Sequence, residues 1–293
     1  MALTLKIKSK GIFGRNKGIN FGELLKNCGL DYGKYNEFHI LVNREAEQNT
    51  AILFNPKRIG RGIFFDAGKA NEGEITIRLN FPTTPSEIRD FVNVAKEIER
   101  QFGKAFLHSE EEDKGYTTAS LESSIDDMIR FSLETLNRQC TENPDKQYIL
   151  TLALFPWFVE KNKRAEYKEC TSLDDFEEKM HSLQARDCYY AKPSLFKDTN
   201  SGKNLAFYTL TDDCESVFPI HADDFLNMND VKIHQGHIRF FLFEEKKVVD
   251  GIYPYDAFMD YVWKNVAPFD ATHVIVPPMS KNEIFKFIET VKK

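Results

Sequence analysis

The run Ile238-Arg-Phe-Phe-Leu-Phe243 constrains this chain more than any other stretch. It puts apolar residues on both faces of an extended segment, so a strand here has to be covered on both sides. A short buried helix would also hide it, and the aromatic content favours the strand. Upstream, Val231 and Ile233 alternate with polar residues, and Gln235-Gly236 separates the two apolar runs. Two residues ending in Gly between strand-like runs predict a tight hairpin. His234 and His237 then flank the turn opposite each other, with Cβ atoms about 5 Å apart on one face.

Two imidazoles so placed could share a divalent metal. Asp224 or its neighbour Asp223, together with His221, would complete the ligand set, and a metal-activated water would make the chain a hydrolase. The ordinary reading is simpler. His221-Ala-Asp-Asp then forms the first turn of a short helix, where acids complement the dipole and cap free N–H groups. The histidines are in that case solvated polar residues at a hairpin end. No metal motif with an attached mechanism matches this spacing, so the ordinary reading is preferred, and the sequence requires no cofactor.

The N-terminal part reads as closely spaced strands. Leu3 to Lys8 alternates apolar and polar residues, and strand-like runs follow at Glu37–Val42, Thr50–Phe54, Gly62–Phe65 and Glu74–Asn80. Such spacing points to an antiparallel sheet. Two basic glycine loops interrupt it: Gly11–Gly18, which holds Arg15, and the segment Asn55–Gly62, which holds Lys57, Arg58 and Arg61. Converging loops of this kind could bind an anion, but neither has the spacing of a phosphate-binding motif. Turn chemistry explains both as connections.

Helix signals come next. Thr84-Pro-Ser-Glu87 is a capping box with Pro at the first helical position, followed by a stripe of Ile88, Phe91, Val92, Ala95, Ile98 and Phe102. A second amphipathic helix is predicted from about Ser124, a third after Ser172-x-x-Asp175, a fourth after Pro254 and a fifth after Ser280-x-x-Glu283. Strands are predicted at Tyr148–Leu154, Cys188–Ala191, Leu205–Leu210 and Thr272–Val276, with Pro193 to Lys203 as a loop. The polar cluster Thr141-Glu-Asn-Pro-Asp-Lys is the best boundary signal and divides the chain into halves, 1–144 and 145–293. The fold class is therefore α+β, with mainly antiparallel sheets, amphipathic helices packed on them and two similar-sized halves.

Composition narrows the function classes. A net charge of −6 argues against bulk binding to nucleic acid or an anionic membrane. Five scattered cysteines without a CxxC fit reduced thiols in a cytoplasmic protein. No run of about 18 apolar residues is present, and MALTLKIKSKG has no signal-peptide core. No nucleophile elbow, zincin motif or P-loop occurs. The paired acids Asp126-Asp127 stand in a helix's opening turn, where acids are expected.

Two segments, YILTLALFPWFV and FPIHADDFLNMNDVKIHQGHIRFFLF, resemble an uncharacterised family of bacterial cytosolic proteins of about this length, a domain of unknown function. That resemblance implies no site residues. The reading is of a cytoplasmic, non-enzymatic protein, immunity-type or regulatory, that binds another protein and could self-associate. The alternatives are a metal-dependent hydrolase on His221, Asp224, His234 and His237, and an anion-binding module on Arg15, Lys57, Arg58 and Arg61.

Overall fold

The structure, a computed structural model, describes residues 1–10, 18–43, 49–142, 148–168, 170–224 and 232–292. It divides into two compact units, Met1–Ala185 and Arg186–Lys293. Both are α+β and rest mainly on antiparallel sheets.

The first unit begins with β1 (Ala2–Ser9), α1 (Phe21–Cys28), β2 (Asp31–Tyr35), β3 (Leu41–Asn43), β4 (Thr50–Phe54), β5 (Ile63–Asp66) and β6 (Glu74–Asn80). It continues with α2 (Pro85–Phe102), β7 (Ala105–Ser109), β8 (Lys114–Tyr116), α3 (Thr118–Ser123) and α4 (Ile125–Thr141). The hairpin β9 (Tyr148–Thr151) and β10 (Pro156–Val159), then α5 (Lys161–Lys168) and α6 (Asp174–Gln184), complete it. Eight strands form one sheet in the order β3-β2-β4-β5-β6-β1-β7-β8, antiparallel throughout. The predicted stripe of α2 is buried together with Leu5, Ile7, Ile75 and Ile77 of the central strands. Full burial of one such side chain contributes about 1.5–3 kcal/mol, so this face holds the helix on the sheet.

Thr84 caps α2 as expected, accepting from the Glu87 amide at 3.1 Å. The reciprocal bond of a capping box is not made, because the Glu87 side chain turns inward. It accepts from the Gly62 amide at 2.5 Å and from the Thr83 hydroxyl. The short helix α1 and the strands β2, β7 and β8 have no counterpart in the sequence reading. In α1 only Leu24 is buried, so it offers no stripe to recognise.

The boundary signal itself falls largely on residues 143–147, which lie outside the described residues. The chain after it belongs to the same unit as the chain before it. Ala153 N–H donates to Gly60 O at 3.1 Å, Leu41 N–H to Leu154 O at 2.8 Å and the Tyr35 hydroxyl to Leu152 O at 2.6 Å. These bonds bind the turn of the β9–β10 hairpin to β2, β3 and the loop before β5.

The second unit contains β11 (Tyr189–Tyr190), β12 (Ser194–Lys197), β13 (Asn204–Thr211), β14 (Ser216–Pro219), β15 (Gln235–Leu242), β16 (Lys247–Val248) and β17 (Tyr253–Pro254). It ends with α7 (Tyr255–Val262), β18 (Ala267–Pro268), β19 (His273–Val276) and α8 (Lys281–Val291). One sheet runs β12-β13-β15-β16, with β17 also on β15; a second runs β11-β14-β19-β18. Its core is phenylalanine-rich. Phe218, Phe240, Phe258 and Phe287 are buried, and ring centroids within the set meet at 5.6 to 6.1 Å. Here the capping box of α8 does close, with Ser280 and Glu283 bonded reciprocally.

The expected hairpin at Gln235-Gly236 is replaced by a continuous strand. Those two residues begin β15, which runs parallel to β13 with Ala206 beside Gly236. The glycine serves packing instead of a turn. A Cβ at Gly236 would stand 2.2 Å from the Ala222 Cβ and 3.0 Å from the Tyr255 Cβ. The Phe-rich run is a strand as predicted but is covered on one face only: Ile238, Phe240 and Leu242 are buried, while Arg239 stands on the open face and Phe243, just past the strand, is 69 % exposed.

Candidate functional site: an exposed apolar groove

Alternation along β13 and β15 sends Ala206, Tyr208, Leu210, Ile238 and Phe240 inward to the core. The opposite face carries Leu205, Phe207 and Thr209, set beside Gln235, His237 and Arg239 by the parallel register. Phe196 of β12 joins this face through its pairing with Leu205. Its ring meets Phe207 edge-on at 5.1 Å, and Phe207 stacks on His237 at 4.9 Å. Arg239 donates to the Thr209 hydroxyl at 2.9 Å.

A groove of about 620 Å³ lies on this face, lined by Phe196, Leu205, Phe207, Arg239, Val248 and Ile252 among others. Its second wall is the segment from Val248 to Ile252. The buried Tyr253 anchors that wall by donating its hydroxyl to Asp250 O at 2.9 Å. Gly251, at φ +110°, permits the turn, since any Cβ there would meet the Tyr253 hydroxyl at 2.6 Å. Large apolar side chains stay in solvent here: Phe196 is 55 % exposed, Val248 50 % and Ile252 58 %. Charges of both signs, Lys197, Asp198, Arg239 and Asp250, stand around them. Apolar surface concentrated in one groove and rimmed by charge makes this face the candidate site.

The four metal-site candidates are distributed over different places. His221 and His234 line one shallow depression of about 350 Å³ with Asp223 and Asp256. Asp224 is turned to its own loop, accepting from the His221 amide at 2.9 Å, and burial raises its pKa. His234 is tied to Asn204 by two bonds, its amide donating to Asn204 O at 2.9 Å and its Nδ1 accepting from the Asn204 amide at 3.1 Å. His237 belongs instead to the face of the groove, against Phe207, and partial burial lowers its pKa. The two histidines do not stand across a turn, because no turn forms between them. Among the described residues no three His, Cys, Asp or Glu side chains gather at metal-binding distance. The helix expected to begin at His221 does not begin there, since residues 221–224 form a turn; its continuation falls on residues 225–231, outside the described residues.

The basic glycine loop 55–62 is occupied internally. Arg58 pairs with Glu178 at 2.9 Å, and Arg61 donates to the carbonyls of Thr151 and Pro82, each at 3.1 Å. Gly60 lets the Glu87 carboxylate approach, for a Cβ there would meet Oε1 at 2.8 Å. Gly62, at φ +85°, presents its amide to the same carboxylate. Lys57 is exposed, and Arg15 lies outside the described residues.

A second cleft, of about 710 Å³, opens in the first unit beside Leu3, Phe81, Leu121, Met128 and Phe131. Its carboxylates are committed within the chain: Glu111 to Thr4, Glu112 to the Tyr116 hydroxyl and Asp127 to Arg130. That leaves the groove on the second unit as the better candidate. Sequence reading missed Phe196, Phe207, Val248 and Ile252 because they come together only through sheet pairing. The one local signal was an apolar pair, Leu195-Phe196, inside a polar stretch.

No helix among the described residues is long and apolar enough to cross a membrane. The chain belongs to the family described as Domain of unknown function (DUF4299), whose model matches residues 2–287. No curated protein and no solved structure matches it.

Proposed function

We propose that this DUF4299 protein is a non-enzymatic interaction protein, immunity-type or regulatory, which docks an apolar segment of another protein in the groove between Phe196 and Ile252. The observation that carries the reading is the gathering of three half-exposed large apolar side chains, Phe196, Val248 and Ile252, along one groove. Leaving them in water forgoes stabilisation of about 1.5–3 kcal/mol for each side chain that could be buried, which a partner would recover. Aromatic anchors in a desolvated pocket dominate binding energy at such sites, and the mixed charges of the rim would set orientation. A net charge of −6 disfavours nucleic acid as the partner.

The test is quantitative affinity enrichment from the native host, comparing wild type with a Val248→Asp/Ile252→Asp double variant of unchanged thermal stability. Both residues are exposed, so the fold should tolerate the change. The reading expects one protein enriched at fixed stoichiometry by wild type and lost with the variant. Equal recovery by both, or no stoichiometric partner at all, would remove it.

A further inference from the structure

Strand β12 ends its sheet, and only half of its backbone groups are paired within it. The Asp198 amide donates to Lys203 O at 2.8 Å, which makes Asp198 and Lys203 a hydrogen-bonded antiparallel pair. Such pairs alternate along the ladder. With Phe196 opposite Leu205 and Ser194 opposite Phe207, those residues bond inward to β13. The N–H and C=O groups of Leu195 and Lys197 therefore point off the sheet, and none of them has a backbone partner among the described residues. Leu195 and Phe196 are 38 % and 55 % exposed. An open edge with exposed apolar side chains is a template for another strand.

We propose that a second copy of the chain supplies that strand, with β12 pairing to β12 antiparallel about a two-fold axis at Phe196. The limits of the strand select this register. Pro193, just before it, has no N–H to donate. After it, Asp198 is committed to the turn that closes at Lys203, with Gly202 N–H donating to Asp198 O at 2.8 Å. An axis at Leu195 would set Pro193 against Lys197, and an axis at Lys197 would set Leu195 against Thr199, inside the turn. Only the axis at Phe196 matches every outward group to another. Leu195 of each copy then exchanges both bonds with Lys197 of the other, giving four in all.

The side chains fit the same register. The two Phe196 residues face each other as a non-bonded pair with Cβ atoms about 4.5–5.5 Å apart, a separation suited to aromatic contact. Leu195 lies opposite Lys197, whose methylene stem can cover it while the ammonium stays in water. The contact is isologous and closes at two copies, so it terminates where an open edge would otherwise invite extended assembly. The sheets become one, and the grooves lie on the same face of it. This pairing stands on the β12 backbone and does not depend on the groove's having a partner.

Sedimentation across a wide concentration range tests it, with three forms of the full chain. Wild type should move from monomer to a species of twice the chain mass. Leu195→Pro, whose missing N–H points away from β13 and so spares the fold, deletes two of the four bonds and should weaken the dimer by roughly tenfold or more. Phe196→Cys should form an intermolecular disulfide under mild oxidation, with peptide mapping placing the link at 196 on both chains. Wild type that stays monomeric at every concentration overturns the proposal. So does a dimer indifferent to Leu195→Pro, or one whose introduced thiols at 196 do not join.

Discussion

The Glu87 carboxylate accepts the Gly62 amide at 2.5 Å, an acid of the α2 first turn bonded to the left-handed glycine of a loop 25 residues earlier. This single bond explains two features that read differently in the sequence. The capping box stays half-made because its acid is used elsewhere, and the glycines of the basic loop admit a carboxylate of the chain itself.

Burial raises the Glu87 pKa above its ordinary value of 4.5, and bonds from Thr83 and Gly62 only partly offset it. Between the ordinary and the raised pKa the folded chain holds a proton that the unfolded chain has lost. Stability therefore falls as pH rises from 4.5 through the folded pKa. Calorimetry across that window should show this slope in wild type and its absence in Glu87→Gln.

Glu97 behaves in the opposite way. Bonds from Arg100, Gln101 and Asn27 outweigh burial and hold its carboxyl down at about 2. Its contribution is complete above pH 4.5 and is lost as pH falls towards about 2. Because Arg100 is largely exposed, solvent screening holds the contribution to about 1 kcal/mol or less. Glu97→Gln should lower stability at neutral pH and flatten the acid limb of the denaturation profile.

In the second unit His273 is buried between Asp270, at 3.0 Å from Nδ1, and the Tyr190 hydroxyl, at 3.1 Å from Nε2. A carboxylate at Nδ1 holds the proton there and leaves Nε2 to accept from Tyr190. Asp270 Oδ1 also accepts the amides of Thr272 and His273, each at 2.9 Å. Asp270→Ala leaves several buried donors without that acceptor and should cost about 2–4 kcal/mol, whereas Tyr190→Phe should cost about 1 kcal/mol. Denaturant titration of each variant checks the ranking.

Gly236→Ala should destabilise the chain by about 1–3 kcal/mol, because its Cβ would overlap Ala222 and Tyr255. Gly18, where a Cβ meets nothing within 4 Å, is the control, and Gly18→Ala should be near neutral. Equal melting points for the two variants would contradict the packing role of Gly236.

Much of the framework was legible because its causes are local. Thr84 and Ser280 cap the helices they were expected to cap, and the runs Thr50–Phe54 and Glu74–Asn80 are strands with those bounds. Ser172 was not the cap expected, for α6 starts after Leu173 without a side-chain cap. The errors cluster where distant residues decide. Gly236 looked like a turn because nothing nearby in sequence reveals Ala222 and Tyr255 against it. Strand β12 looked like loop because its ordering comes from the register with β13. The groove could not be read for the same reason: Phe207 and Arg239 become neighbours only through the parallel pairing of β13 with β15.

The most direct test of the docking groove is site-specific photo-crosslinking. A photoreactive phenylalanine analogue would be placed at Ile252, inside the groove, and separately at Phe285, which is 39 % exposed on α8. Irradiation in the native host should link one protein from position 252 at high yield and not from 285. Val248→Asp in the same chain should abolish that link. Identical products from both positions, or no product from 252, would contradict the account.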